Sequence, residues 1–340
     1  MTETSRAVIL KERPQGPASV DNFELVDLPM PVPGPGEVLT RTLWLSLDPY
    51  MRGRMSAGPS YAAPVQVGAP MTGETVGEIV ASNDPAFRPG QIVLGARGWQ
   101  THIASPASSL TALPPGAPWQ AHLGVLGMPG AAAYAGFRDI CKPRPGETLV
   151  VSAASGAVGS VVVQLAKRNA ARAVGIAGGP EKCAWVRETL GADDCVDYRG
   201  PGDLSDALAA ACPDGVDVYF ENVGGAVQRA VYPLMNDYGR IAMCGMIADY
   251  EDPDAKGLNL FPVIRKRLQV QGFIVLDKPE NFTEWRTLGT SLIASGQLVY
   301  REQVIEGLEN AAAALIDLFQ GRSEAKLVVR VAAARQAKRS

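Results

Sequence analysis

The chain has 340 residues, a length that suggests two domains, and its 46% hydrophobic and 20% charged content supplies enough apolar material for substantial cores. Its net charge of −3 argues against a polyanionic partner such as nucleic acid. No run of about 18 apolar residues offers a membrane span, and the opening MTETSRAVILKERPQG lacks the apolar core and cleavage pattern of a signal peptide, so a cytoplasmic location is expected.

The first 125 residues read as β-structure with turns. Arg6 to Lys11, Phe23 to Leu28 and Glu37 to Ser46 are strand candidates. The run Pro29 to Gly36 punctuates them and cannot be helical. LDPYMRGRM, Leu47 to Met55, opens on an Asp-Pro turn and carries Tyr50 and Arg52. A Pro/Gly loop from Gly58 to Pro70 carries Tyr61, and Thr72 to Ala81 and the segment after Phe87 supply further strands. Many short strands with Gly/Pro turns point to a small barrel or sandwich. After Pro118 the pattern changes. Ala121–Leu126 and Pro129–Cys141 read as helical. From Gly146 strands (148–152, 172–177, 195–197, 216–221, 239–244, 270–275) alternate with helices (158–169, 181–190, 204–212, 226–234, 263–268). That alternation is the signature of an α/β, doubly wound parallel sheet. A helix over 282–295 and an amphipathic stretch over 307–320 follow. KLVVRV, Lys326 to Val331, reads as a terminal strand that rejoins the first domain, and Ala332–Ser340 as a frayed basic tail.

The five cysteines, Cys141, Cys183, Cys195, Cys212 and Cys244, are odd in number and show no C-x-x-C spacing. Structural zinc and a disulfide framework are therefore poorly supported. His102 and His122, the two histidines, are too few to make a His-based catalytic zinc site without a further ligand. No metal is expected.

The chemistry concentrates at Glu147 to Lys167, ETLVVSAASGAVGSVVVQLAK. An apolar strand, a turn of small residues (Ala153-x-x-Gly156-x-x-Gly159) and an amphipathic helix follow one another. Such a turn lets backbone N–H groups approach a pyrophosphate, and the helix N-terminus adds a favourable dipole. The first glycine of G-x-G-x-x-G is absent, so the motif alone also fits a tight packing turn. Three later strand ends, Glu221-Asn222-Val-Gly-Gly225, Met243-Cys244-Gly245 and Gly272-Phe273-Ile274-Val275, shift the balance to dinucleotide binding. The second strand ends in Gly178-Gly179-Pro180, without the acid that holds an NAD ribose, and Lys182 and Tyr198 lie nearby. This favours NADPH over NAD.

LSLDPYMRGRM, SYAAPVQVGAPMTGETVG, GMPGAAAYAG, AASGAVGSVVVQLAK, YFENVGG, CGMIADY and QGFIV run in an order that resembles the medium-chain dehydrogenase/reductase superfamily. Within it the chain is similar to the zinc-independent branch of prostaglandin reductases, leukotriene B4 12-hydroxydehydrogenase and alkenal double-bond reductases, including bacterial NADPH-dependent curcumin reductase-like proteins. The resemblance runs from about Arg6 to Val331. It implies a β-rich GroES-like substrate domain over 1–125 and 300–340 and a Rossmann NADPH-binding domain over 126–299. It further implies NADPH-dependent reduction of the C=C bond of α,β-unsaturated ketones and aldehydes, and a homodimer. Carried over by position, Ser155, Gly156, Ala157 and Val158 meet the pyrophosphate. Lys182 and Tyr198 meet the 2′-phosphate region. Asn222, Cys244, Gly245, Tyr250 and the Phe273–Ile274–Val275 backbone border the ribose and nicotinamide. Where zinc relatives carry G-H-E-x-x-G, the glycine here is followed directly by Glu74.

Three departures from the family pattern stand out. Ala132 replaces a common Thr, Ser323 stands where many members have a cofactor-contacting Asn, and Ala248-Asp249-Tyr250-Glu251 keeps the family tyrosine with altered neighbours. Hydride transfer to an enone β-carbon builds negative charge on the carbonyl oxygen, which needs a hydrogen-bond donor. Without zinc a phenol is the natural donor; Tyr250 is the first catalytic candidate, Tyr61 the second and Tyr50 a third, and all three are candidate substrate contacts. Arg52 reads as structural, and Trp44, Met55 and Met246 as apolar pocket or core. Other readings are a quinone reductase or an alcohol dehydrogenase on the same scaffold, or a non-catalytic, crystallin-like NADPH-binding protein.

Overall fold

The computed structural model describes residues 4–114, 118–250 and 259–334; Glu251 and the tail residues 335–340 lie outside the described residues. The chain divides into two units, Met1–Leu123 with Glu302–Ser340, and Gly124–Arg301. In the first, β1 (Thr4–Leu10) pairs antiparallel with β2 (Phe23–Pro29). Then follow β3 (Glu37–Ser46), a helical turn α1 (Met51–Arg54), β4 (Glu74–Ser82), β5 (Ile92–Arg97), β6 (His102–Pro106) and β7 (Thr111–Ala112). The second unit runs α2 (Met128–Ala135), β8 (Thr148–Ser152), α3 (Gly159–Arg168), β9 (Arg172–Ala177), α4 (Pro180–Glu188), β10 (Asp194–Asp197) and α5 (Leu204–Ala211). It continues with β11 (Val216–Glu221), α6 (Gly225–Val231), β12 (Met235–Met243), α7 (Phe261–Arg265), β13 (Gln269–Gly272) and α8 (Glu280–Ala294). The chain then returns to the first unit as β14 (Glu302–Glu306), α9 (Ala311–Phe319) and β15 (Lys326–Arg330).

The first unit is organised on β3, whose EVLTRTLWLS is buried along most of its length. The sheet order is β14-β15-β3-β4-β5-β7, with β6 also paired to β3. KLVVRV rejoins this unit as expected: Val328 lies opposite Ser46 on β3, antiparallel. A buried ion pair fastens the returning strand to the Asp48-Pro49 turn. Lys326 Nζ stands 3.0 Å from Asp48 Oδ1 and donates to the Leu47 and Leu327 carbonyls, while Ser46 donates to the other Asp48 oxygen. Burying both charges is costly, and these extra donors and acceptors offset that cost. Leu45, Leu47, Met51, Met55, Met71 and Trp99 form the adjoining core, and Phe23 stacks on Trp99 at 5.8 Å. Met55 is therefore a core residue rather than a pocket wall. It lies one helical turn from Met51 and shares its inward face. Trp44 packs beneath the Arg330 guanidinium at 4.9 Å.

The second unit is a six-stranded parallel sheet of order β10-β9-β8-β11-β12-β13. Its central strands, TLVVS and VDVYFE, are almost wholly buried, as strands covered by helices on both faces must be. The order reverses beside β8, and ligands bind such sheets at the strands' carboxyl ends at that reversal. α3 turns its valines and Leu165 inward and carries Lys167 and Arg168 in its last turn, where cations suit the helix dipole. α5 is capped by the Asp203 carboxylate, which accepts from Ser205 N at 2.7 Å. In α8, Trp285 is fully buried and its Nε1 donates to the Val125 carbonyl at 2.6 Å.

Four elements differ from the sequence reading. The 129–141 helix changes to a π-helix over Gly136–Cys141 and ends on left-handed Lys142. The wider turn lets Gly136 sit against Phe220 and Phe273, where a Cβ would stand 2.6 and 2.8 Å from the rings. Ala121–Leu126 is a 3₁₀ turn over Trp119–Leu123. The 270–275 strand stops at Gly272, because its partner β12 ends opposite it at Met243. β14, EQVIE, is an exposed edge strand with no apolar alternation to reveal it. Among the described residues no helix is long and apolar enough to cross a membrane.

Candidate functional site

The glycine-rich turn joins β8 to α3. Ala153 takes a left-handed conformation (φ 50°), which turns the chain sharply after Ser152. A Cβ at Gly159 would overlap the Ala153 carbonyl, and one at Gly156 would stand 3.1 Å from it. The turn closes this tightly because position 159 has no Cβ, and a Cβ at position 156 would make a tight contact. Ser155 is buried, and Gly156, Ala157 and Val158 are half-buried at the N-terminal end of α3. Small side chains and a helix dipole make this turn fit an anionic diphosphate.

The next two strand ends meet beside it. A Cβ on Gly178 would stand 2.8 Å from the Tyr198 ring, so the phenol lies across the bare backbone after β9. Gly179 (φ 101°) donates its N–H to Asp197 Oδ1 at 2.7 Å, and Arg199 N donates to the same oxygen at 2.9 Å. Asp197, from the end of β10, is an acid at this corner and is engaged by backbone donors, and Glu181 lies in the first turn of α4. Lys182 sits in the first turn of α4, and the Arg199 guanidinium lies 5.4 Å from the Tyr198 ring. Two cations and a ring suit a phosphate-bearing adenosine.

The ends of β11 and β12 form the third part. Asn222 N donates to Ser152 Oγ and its Nδ2 to the Ser152 carbonyl, each at 2.8 Å. Cys244 N and Gly245 N donate to the Glu221 carbonyl at 2.9 and 3.1 Å. Ile247 N reaches the Asn222 carbonyl at 3.3 Å and Ala248 N the Val223 carbonyl at 2.9 Å. The 244–250 turn is thereby laid along the 222–225 turn. Tyr250, 39% exposed, ends it, and its hydroxyl oxygen accepts from Met246 N at 3.3 Å. A Cβ on Gly245 would stand 3.4 Å from the Asn222 carbonyl and 3.5 Å from the Tyr250 hydroxyl. Burial, then the Glu221 charge, pushes the Cys244 thiol up to about 12. Phe273 follows β13 and meets Phe220 edge-to-face at 6.3 Å, which fixes the start of the Phe273–Val275 backbone.

Tyr50, Tyr61 and Ser323 belong to the first unit. Tyr50 precedes α1; burial, then Asp48, raises its hydroxyl above the ordinary phenol range, so it stays a proton donor. Tyr61 is 58% exposed on the Pro/Gly loop. Both rings pack on the buried Arg54, whose guanidinium lies 4.5 Å from Tyr61 and 5.6 Å from Tyr50. Arg54 also donates to Ser60 Oγ and the Ala62 carbonyl, both at 3.0 Å. Arg52 ties Ser56 Oγ and the Gly16 carbonyl, a structural role. Ser323 is half-buried between α9 and β15. Sequence reasoning misses Arg54 and Arg199; their only signals are a cation one helical turn after Tyr50 and another directly after Tyr198. Ser155–Val158, Lys182, Tyr198, Asn222, Cys244, Gly245, Tyr250 and Phe273–Val275 all stand just beyond the carboxyl ends of the parallel strands. Among the described residues no group of three or more His, Cys, Asp or Glu is placed to hold a metal ion.

Known proteins give independent comparisons. Residues 6–113 match the family model for the N-terminal domain of oxidoreductase, and residues 157–294 the model for zinc-binding dehydrogenase. The chain is 44% identical to the NADPH-dependent curcumin reductase of Escherichia coli (strain K12), over 97% of this chain and 98% of that one. It is 42% identical to the NADP(+)-dependent 2-alkenal reductase of Nicotiana tabacum, over 96% and 98%. The crystal structure of CurA in complex with NADPH from Vibrio vulnificus superposes with a TM-score of 0.92 at 42% identity, covering 96% of this chain and 99% of that one.

Proposed function

We propose, for a chain that belongs to the prostaglandin reductase and alkenal reductase branch of the medium-chain dehydrogenase/reductase superfamily, NADPH-dependent reduction of the C=C bond of α,β-unsaturated ketones and aldehydes. The observation that carries this reading is the assembly at the sheet's carboxyl ends. It joins a β9 end that carries glycines instead of a ribose-binding acid, with Lys182 and Arg199 nearby, to a turn that presents a phenol, Tyr250, beside Asn222 and Gly245.

Bound NADPH supplies the hydride that goes to the β-carbon. Binding and positioning fall to the chain. Backbone N–H groups over Ser155–Val158 hold the pyrophosphate. Lys182, Tyr198 and Arg199 hold the 2′-phosphate. Asn222, Cys244, Gly245 and the Phe273–Val275 backbone border the ribose and nicotinamide, and Ser323 is a further cofactor contact. As the substrate carbonyl oxygen gains negative charge, Tyr250 donates a hydrogen bond to it. Tyr61 is the alternative donor and Tyr50 a further candidate substrate contact. The α-carbon takes its proton from water, which completes the saturated ketone. The open edge of β13 belongs to a second copy of the chain.

The test is a steady-state panel of enones, enals, quinones and primary alcohols, with product identification. Saturated carbonyl products formed at the expense of NADPH are expected, and Tyr250→Phe should lower kcat on an enone by roughly 100-fold. Turnover of alcohols alone, or NADPH binding with no enone turnover, overturns the reading. Full activity in both Tyr250→Phe and Tyr61→Phe removes the phenol donor.

A further inference from the structure

Glu221 has no part in the scheme above, yet it is the most connected residue at the sheet's carboxyl ends. It closes β11 and is 0% exposed. Its Oε1 accepts from Ser152 Oγ at 2.9 Å, Val223 N at 2.7 Å and Gly224 N at 3.0 Å. Its carbonyl accepts from Cys244 and Gly245, and Ser152 Oγ accepts in turn from Asn222 N. One residue thus joins the ends of β8, β11 and β12. Its other oxygen, Oε2, is buried beside the Tyr219 hydroxyl without a well-formed hydrogen bond, and burial raises the Glu221 carboxyl above its ordinary range. An acid with one idle oxygen in a dry site is an expensive way to finish a strand. What Oε1 provides is two bonds on the turn that carries Asn222, from Val223 N and Gly224 N, and a third to Ser152 at the end of β8. The 244–250 turn lies on that turn through Ile247 and Ala248, and Gly225 N donates to Asp249 at 3.3 Å. A displacement of residues 222–225 therefore reaches Tyr250 without Glu221 touching it.

We infer that Glu221 is a positioning residue for the reduction: its Oε1 fixes the Asn222 turn, and through it the Tyr250 turn. The inference rests on the proposed function, in which these turns border the nicotinamide and the substrate carbonyl. The acceptor oxygen is what matters. Gln at this position keeps a carbonyl oxygen for Ser152, Val223 and Gly224 and turns an amide toward the Tyr219 hydroxyl. Ala removes the acceptor.

The experiment compares wild type, Glu221→Gln, Glu221→Ala and Ser152→Ala by four measurements. These are amide hydrogen exchange without cofactor, the NADPH dissociation constant, kcat and KM on one enone, and the isotope effect with 4-deuterated NADPH. In Glu221→Ala, exchange should accelerate in both 222–225 and 244–250, although the lost side chain touches only the first. Its kcat should fall by roughly 10- to 100-fold with an enlarged isotope effect. NADPH affinity should fall less, because the 2′-phosphate end is held elsewhere. Glu221→Gln should return exchange and kcat to within a few-fold of wild type. Ser152→Ala should move both in the direction of Glu221→Ala, and it carries the test if the alanine variant does not fold. Faster exchange confined to 223–224 with kcat unchanged overturns the inference. So does a Gln variant as impaired as Ala, or a Ser152→Ala variant that is unchanged in both. A wild type that reduces no enone defeats the proposed function instead, and the exchange pattern still decides whether the two turns are coupled.

Discussion

At the adenosine end two cations, Lys182 and Arg199, flank a strand end where glycines stand in place of a ribose-binding acid. A charge-assisted bond to a phosphate contributes roughly 1.5–3 kcal/mol, about 10- to 100-fold in affinity. Lys182→Ala should weaken NADPH by roughly that factor and leave NADH unchanged, as measured by fluorescence titration with both cofactors; equal losses would remove Lys182 from the 2′-phosphate. Residues of this kind are partly legible in sequence. Gly156 and Gly159 are readable because their role is steric and local, and Lys182 because it follows a strand end that lacks an acid. Arg54, Arg199 and Glu221 are not readable, since their meaning comes from partners brought together by the fold: two rings, one ring and three strand ends.

Among the elements, β13 is one of the two edges of the parallel sheet and all four of its residues are exposed. Close to it in sequence, α7 exposes Phe261 and Ile264, the latter at 74%. An open strand edge with neighbouring apolar side chains invites a second strand. Light scattering should report two chains for the wild type and one for Phe261→Glu/Ile264→Glu. A single-chain wild type, or a double variant that remains paired, would free this edge of the assignment. Elements with strong patterning, such as β8 and β11, are visible in the sequence as apolar runs. β14 is not, because an exposed edge strand needs no apolar face. The π-helix is invisible for a different reason. One extra residue per turn leaves the composition helical, and only the close approach of Gly136 to Phe220 and Phe273 explains it.

For the molecule as a whole, alternation of strand and helix from Thr148 onward leads to the parallel sheet and its order, since right-handed crossovers leave few other arrangements. The return of KLVVRV to β3 is legible as an apolar run beyond the last helix. The buried Asp48–Lys326 pair that locks it is not, because both residues look like surface charges in the sequence. The fold's thoroughness in burying side chains also sets the chemistry of its sulfur. All five cysteines are free thiols. Burial pushes Cys212 up to about 11 and Cys244 up to about 12, and carries Cys141 higher still. In the buried Cys183–Cys195 pair, Cys195 is pushed up while its hydrogen bond holds Cys183 down. Conjugated carbonyls are Michael acceptors, and they alkylate thiolates rather than thiols. The raised value leaves Cys244, although half-buried, much less thiolate at neutral pH than an ordinary cysteine. Native protein exposed to a small enal should therefore remain unmodified at Cys244 near pH 7.5 and gain the adduct as the pH climbs past 10, read by peptide mass spectrometry. An adduct at neutral pH would contradict this. Four of the five thiols are thus kept protonated, a protection for a protein whose relatives handle electrophilic conjugated carbonyls, and Cys183 is the one whose hydrogen bond works the other way.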